Sequence, residues 1–171
     1  MPAEYLVISS SLRPGSLSRQ LGEQLAREFG AAAEHVDLRE YPLPLCDGET
    51  AYSDPNVEKL SAKIGAARVI VIATPIYNFD ANAAVKNLVE LTGSAWEDKI
   101  VGFACAAGGA LSYMSVMGLA NSLMLDFRCV VIPRFVYATG DDFEGDRVPK
   151  PEISKRIKQL AVAAKTIRNH S

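Results

Sequence analysis

Residues 9–19 read Ser9-Ser10-Ser11-Leu12-Arg13-Pro14-Gly15-Ser16-Leu17-Ser18-Arg19, a stretch with five serines and two arginines. It links a short apolar run to an amphipathic one. Hydroxyl and guanidinium groups at a helix N-terminus are what a phosphate requires. The first-turn N–H groups lack intrahelical partners, and the helix dipole favours an anion. With Ser16 as the N-cap, Arg19 falls in the first turn, where a capping box would carry Glu or Gln. A cation there is unfavourable unless an anion lies beside it. The competing reading is a serine-rich turn with two solvated arginines.

Two further loops carry binding chemistry. Residues 75–79, Pro75-Ile76-Tyr77-Asn78-Phe79, offer two aromatic rings and an amide. Ala107-Gly108-Gly109 offers bare backbone, which a flat ring can approach closely. A phosphate on the first loop and a planar heterocycle between the other two describe a mononucleotide with a large ring, and flavin mononucleotide (FMN) fits. Neither Gly-x-Gly-x-x-Gly nor Gly-x-x-x-x-Gly-Lys-Ser/Thr follows the first apolar run. Singly, each loop also reads as an ordinary turn or as packing.

The elements that must position these loops alternate. Tyr5-Leu6-Val7-Ile8 is apolar throughout, as a central parallel strand requires. Leu17, Leu21, Leu25 and Phe29 then recur at helical spacing up to Gly30. Residues 34–38 predict an edge strand, and Asp54-Pro55 predicts a capped helix start. Residues 68–73 predict a central strand, with the chain turning at Pro75, which lacks an N–H for the ladder. A helix is expected from 83 to 91, a buried strand from 99 to 106, a helix over 111–127, a last strand over 129–132, an acidic loop over 139–146 and a C-terminal helix. Strand and helix alternate five times. This predicts a flavodoxin-like α/β fold: a three-layer sandwich with a five-stranded parallel sheet of order 2-1-3-4-5, as one domain over 1–171. In such sheets ligands bind at the carboxyl ends of the strands, and all three loops follow strand ends. The 111–127 helix, from Leu111 and Tyr113 to Leu125 and Phe127, has almost no polar face. Coverage by a second subunit explains that pattern, and burial under the chain's own loops is the alternative.

Composition sets the outer bounds. The 171 residues are 49% hydrophobic with a net charge of −2, which provides no basic field for nucleic acid. No apolar run reaches membrane-spanning length, and Glu4 precedes the first run, so neither a span nor a signal peptide is expected. Cys46, Cys105 and Cys129 are odd in number and predict free thiols in a reducing, cytoplasmic setting. His35 and His170 lie far apart, so neither a metal cluster nor a Ser–His–Asp triad is expected.

Residues 10–21 resemble the Gly-Ser-x-Arg-x-x-Ser-x-x-Arg-x-Leu motif of the NADPH-dependent FMN reductase family, with Ser10 where Gly is frequent. Thr74-Pro75-Ile76-Tyr77-Asn78 followed by Val85-Lys86-Asn87 resembles its Pro-Glu-Tyr-Asn … Leu-Lys-Asn segment, with Ile76 in place of Glu. Gly108-Gly109 resembles its third, glycine-rich segment. The resemblance implies that Ser11, Arg13, Ser18 and Arg19 hold the FMN phosphate, with Ser16 capping the helix beside it. It implies that Pro75, Tyr77, Asn78 and Phe79, with Ile76 among them, line the ribityl chain and ring. Gly108 and Gly109 would present N–H groups to the ring. It also implies a homodimer or homotetramer, in agreement with the all-apolar helix. Lys86 and Asn87 would serve helix packing or the subunit interface. The implied activity is an FMN-dependent NAD(P)H oxidoreductase that uses NADPH or NADH. Its small-molecule acceptor would be a quinone, free flavin, azo dye or metal oxyanion. The flavin carries the chemistry, so no catalytic side chain is assigned. A flavodoxin-like electron carrier and a nucleotide- or phosphosugar-binding transferase are the rivals. On this reading Arg19→Glu abolishes FMN retention and spares the apo fold.

Overall fold

A computed structural model of the chain describes residues 3–145 and 148–168. In order the elements are β1 (Tyr5–Ser9), α1 (Leu17–Phe29), β2 (Ala33–Asp37), α2 (Pro55–Ala66), β3 (Val69–Tyr77), β4 (Asp80–Ala81) and α3 (Ala83–Thr92). There follow β5 (Ile100–Ala107), α4 (Met117–Phe127), β6 (Val130–Val131), β7 (Val136–Thr139), β8 (Phe143–Glu144), β9 (Val148–Pro149) and α5 (Pro151–Thr166). The main sheet runs β2-β1-β3-β5-β6, with β7 also on β5 and β4 added antiparallel to β3. These are the expected five parallel positions in the 2-1-3-4-5 order of the flavodoxin-like fold.

Strand alternation sorts the apolar side chains into two layers. Leu6, Ile8, Ile70, Ile72, Val101 and Phe103 face α2, α3 and α4 and pack with Leu60, Leu88, Trp96 and Leu123. Tyr5, Val7, Val69, Val71 and Ile100 face α1 and α5 and pack with Leu21, Leu25, Ile157 and Leu160. Asp54 caps α2 as expected, with its Oδ1 accepting from Asn56 N at 2.8 Å. Gly22 has a packing reason. A Cβ there would lie 2.5 Å from Ser9 Oγ and 3.1 Å from Ala73 Cβ, so glycine lets α1 sit close on β1 and β3.

Four expectations need correction. The strand count exceeds five, because the last parallel position is split. Val131 pairs with Val101 and Val136 with Ala104, so residues 132–135 face only residues 102–103. Pro133 interrupts the ladder after Ile132 N bonds Val101 O at 2.9 Å. Second, β3 does not turn at Pro75 but continues to Tyr77. Ala73 O accepts from Ser10 N at 3.0 Å, so alternation points position 75 to the same side, just beyond the last β1 residue. No partner strand needs a donor there, while Pro75 still lies opposite Ala106 of β5. Third, the helix expected over 111–127 begins only at Met117. Before it the chain makes i→i−3 turns, Ser115 N to Ser112 O at 3.1 Å and Met117 N to Met114 O at 3.0 Å. Fourth, the expected acidic loop carries regular structure over 139–144. Thr139 and Asp142 form a capping box, and β8 pairs with β9. Asp146, named in that loop, and His170 lie outside the described residues.

Candidate cofactor-binding site

The carboxyl ends of β1, β3 and β5 open onto one cavity of about 680 Å³. The first, second and third loops all reach it, through Arg13, Ser16 and Ser18, then Pro75, Ile76, Tyr77, Asn78 and Phe79, then Gly108 and Gly109. Leu17, Ser112 and Gly140, not assigned to the cofactor from the sequence, also line it. Gly140 follows β7, so the rule that ligands bind at strand carboxyl ends would have found it.

At the first loop, Ser16 is the N-cap residue of α1, with φ −70° and ψ 133°, but its side chain does not cap. Its hydroxyl pairs with Ser18 Oγ at 2.9 Å instead. No acidic residue occupies the first turn. The positive helix end therefore faces the cavity uncompensated. Arg13 is exposed on the cavity wall, and no carboxylate pairs with it among the described residues.

Ser11 and Arg19 do not line the cavity. Both are buried behind the loop. Ser11 Oγ accepts from Arg13 N at 3.3 Å. Arg19 donates from Nε to Asp37 Oδ2 at 2.7 Å, from Nη2 to Ser11 O at 2.8 Å and from Nη1 to Arg13 O at 3.2 Å. The cation expected to need an external anion has found an internal one. Burial pushes the Asp37 carboxyl up, but hydrogen bonds from Arg39 and Arg19 outweigh it and bring it down to about 2. Arg19→Glu would set two carboxylates together in a buried place, so it would not spare the apo fold.

A buried amide joins the first loop to the second. Asn82 Oδ1 accepts from Ser10 Oγ at 2.8 Å and from Thr74 Oγ1 at 3.1 Å, and Asn82 Nδ2 donates to Ser10 O at 2.8 Å. Asn82 immediately precedes α3, but its side chain makes no cap bond. Nearby, Asn87 accepts from Cys46 N at 2.9 Å and donates to Pro44 O at 2.8 Å. It therefore ties the 41–53 loop to α3. Lys86 pairs with Asp80 at 2.8 Å.

The second loop is a two-residue hairpin between β3 and β4, with Tyr77 opposite Asp80. Asn78 and Phe79 have φ of 49° and 60°, the type I′ signature that matches strand twist. Asn tolerates that region; Phe79 does not, and it holds a strained backbone with its ring 68% exposed.

At the third loop neither Gly108 nor Gly109 has a positive φ, and a Cβ on either would meet no atom of the chain. The fold itself does not require glycine there, whereas a flat ligand pressed to the backbone would. Tyr137 Oη donates to Gly109 O, which orients that peptide.

Arg13 and Tyr77 are the ionisable side chains on the cavity wall. Burial pushes the Cys105 thiol up to about 12 and that of Cys129 up to about 11, away from nucleophilic character. Among the described residues no three His, Cys, Asp or Glu side chains gather to hold a metal. These observations fit a cofactor that brings its own reactivity. A helix start receptive to phosphate and a backbone-lined slot at the strand ends suit a mononucleotide on a flavodoxin-like fold.

Comparison with known proteins agrees. The profile of the NADPH-dependent FMN reductase family matches residues 4–144, and the chain belongs to that family. It is 32% identical over 130 residues to the NAD(P)H-dependent FAD/FMN reductase of Geobacillus thermodenitrificans, covering 74% of this chain and 70% of that protein. It is 28% identical over 162 residues to the NADPH azoreductase of Bacillus strain OY1-2, covering 92% of this chain and 90% of that one. Its fold matches an oxidoreductase structure from Corynebacterium diphtheriae with a TM-score of 0.75 at 21% identity, over 98% of this chain and all (100%) of that one. The protein is an FMN-dependent oxidoreductase with NAD(P)H as co-substrate.

Proposed function

We propose that the cavity holds FMN with its phosphate on Arg13, Ser16, Ser18 and the first-turn N–H groups of α1, and with its ring between residues 75–79 and Gly108-Gly109. The observation that carries this reading is the uncompensated start of α1 beside an unpaired Arg13, in one cavity with a glycine pair the fold does not itself need. Held there by these residues, FMN would supply the hydride and electron transfer between the nicotinamide and an acceptor. The chain's residues do the rest. Asn82 and Asn87 hold the loops in place, Tyr77 and Phe79 wall the ring side, and the Gly108-Gly109 backbone fixes the ring's orientation.

The acceptor is a small oxidised molecule: a quinone, free flavin, azo dye or metal oxyanion. The names of relatives, an FAD/FMN reductase, a quinone oxidoreductase and an azoreductase, support the flavin, quinone and azo dye. The protein works as a homodimer or homotetramer, joined through the 111–127 segment. Leu111, Met114 and Leu125 stand 92%, 58% and 72% exposed there, with Tyr113, Met117 and Met124 around them. No helix among the described residues is long and apolar enough to cross a membrane, and the free thiols agree with a reducing, cytoplasmic setting.

The test is the absorption spectrum of the purified protein, followed anaerobically after NADPH is added. A flavin spectrum that bleaches within seconds is expected. A flavin spectrum that persists would leave an electron carrier, and a colourless protein that gains no thermal stability from FMN would leave the transferase reading.

A further inference from the structure

Asp37 lies at the carboxyl end of β2, outside the cavity and untouched by the chemistry described so far. Its side chain is 9% exposed and sits between two arginines. From one side it accepts Arg19 Nε at 2.7 Å. From the other it accepts Arg39 N at 3.0 Å and Arg39 Nη2 at 2.6 Å. Arg19 has a planar fork whose orientation is set wherever its Nε is fixed. Its two remaining nitrogens reach Ser11 O and Arg13 O. The acid thus holds the base, and the base holds both carbonyls that flank Leu12, on the loop that carries Arg13 to the cavity.

We propose that Asp37 is a positioning residue for phosphate recognition, acting through the Arg19 fork to set the 11–13 backbone and hence the place of the Arg13 guanidinium. The inference rests on the placement of the FMN phosphate beside Arg13 given above. Positioning and charge make opposite predictions here. Arg19, Asp37 and Arg39 together carry one net positive charge. Neutralising Asp37 raises the local positive charge, so charge alone would tighten phosphate binding. Loss of the fork's anchor would loosen it, because Arg13 would no longer be held in place.

The experiment measures dissociation constants of FMN and of riboflavin, which lacks the phosphate, for the flavin-free protein and its variants by flavin fluorescence. The wild-type protein tests the phosphate placement itself: equal affinity for the two flavins would overturn that placement whatever Asp37 does. In Asp37→Asn, FMN binding is expected to weaken by about tenfold while riboflavin binding stays within about twofold. Arg19→Lys keeps the charge and removes the fork, and is expected to lose the FMN preference likewise. Arg39→Ala, at the surface, is expected to keep it, because the Asp37–Arg19 bond remains. Unchanged or tighter FMN binding by Asp37→Asn would overturn the proposal in favour of charge. Equal weakening of both flavins would reduce Asp37 to a general stabiliser. If the two buried variants do not fold, Arg39→Ala decides: a loss of preference of about tenfold there would assign the effect to net charge and refute positioning.

Discussion

Ser9 Oγ and His35 Nε2 lie 2.8 Å apart beneath α1, at the spot where Gly22 brings the helix closest to the sheet. Neither residue lines the cavity, and the pair joins β1 to β2. Burial lowers the His35 pKa from its ordinary 6.5, ahead of Glu23, Asp37 and Glu40, which push it up, and Arg19, which lowers it further. The unfolded chain therefore binds a proton that the folded chain refuses. Stability is complete above the ordinary value and is lost as pH falls from there toward the folded value. Thermal melts between pH 7.5 and 5, both assay settings at about neutral and mildly acid pH, are expected to show a falling midpoint. His35→Asn should flatten that part of the slope; an unchanged slope would remove His35 as its source.

Asn82→Ala removes the amide that joins the first two loops. It strips the Ser10 carbonyl of its side-chain donor and leaves the buried hydroxyls of Ser10 and Thr74 only their longer bonds to Ala73 O at 3.4 Å and Pro75 O at 3.2 Å. A loss of about 2–4 kcal/mol in unfolding free energy is expected, with weaker flavin retention because both cavity walls lose their common anchor. Denaturant unfolding together with flavin content after gel filtration checks both parts.

Phe79 is at φ 60°, in a region that costs an ordinary residue roughly 1–2 kcal/mol. Phe79→Gly creates Asn-Gly, the preferred type I′ pair. The flavin-free protein should gain about 0.5–1 kcal/mol, after allowing for the looser unfolded chain. Its flavin affinity should fall, since an exposed ring on the cavity wall is lost. A variant that is less stable would mean that Phe79 makes contacts beyond those of an exposed turn.

Arg13 is exposed and unpaired, so Arg13→Ala should change stability by less than about 0.5 kcal/mol. FMN affinity should fall by about tenfold, and the affinity that remains should depend less on salt. Titrations with FMN at two ionic strengths measure both.

Pattern alone made the layered fold legible. The all-apolar run 5–8, the strand expected over 99–106, the Gly30 stop and the Asp54-Pro55 start each survive into the structure. Residues of the three loops that pattern put at strand ends also line one cavity. The illegible parts depend on long-range partners. Nothing near Arg19 in sequence shows that Asp37 waits 18 residues later. Pro75 reads as a strand stop unless it is known that β1 has already ended beside it. Nothing near Asn82 in sequence shows its role until Ser10, 72 residues earlier, is brought against it.

Local chemistry in the sequence by itself determined the alternation of elements, the three strand-end loops and a start of α1 without an acidic residue. Each depends on hydrophobic periodicity and backbone preference, which act over a few residues. Only the tertiary structure decided which of the two arginines in the opening loop faces the cavity. A guanidinium turns toward the nearest carboxylate and carbonyls it can reach. For Arg19 these lie at the end of β2 and on the loop itself, so the residue that looked like a phosphate ligand holds the loop while Arg13 presents the charge.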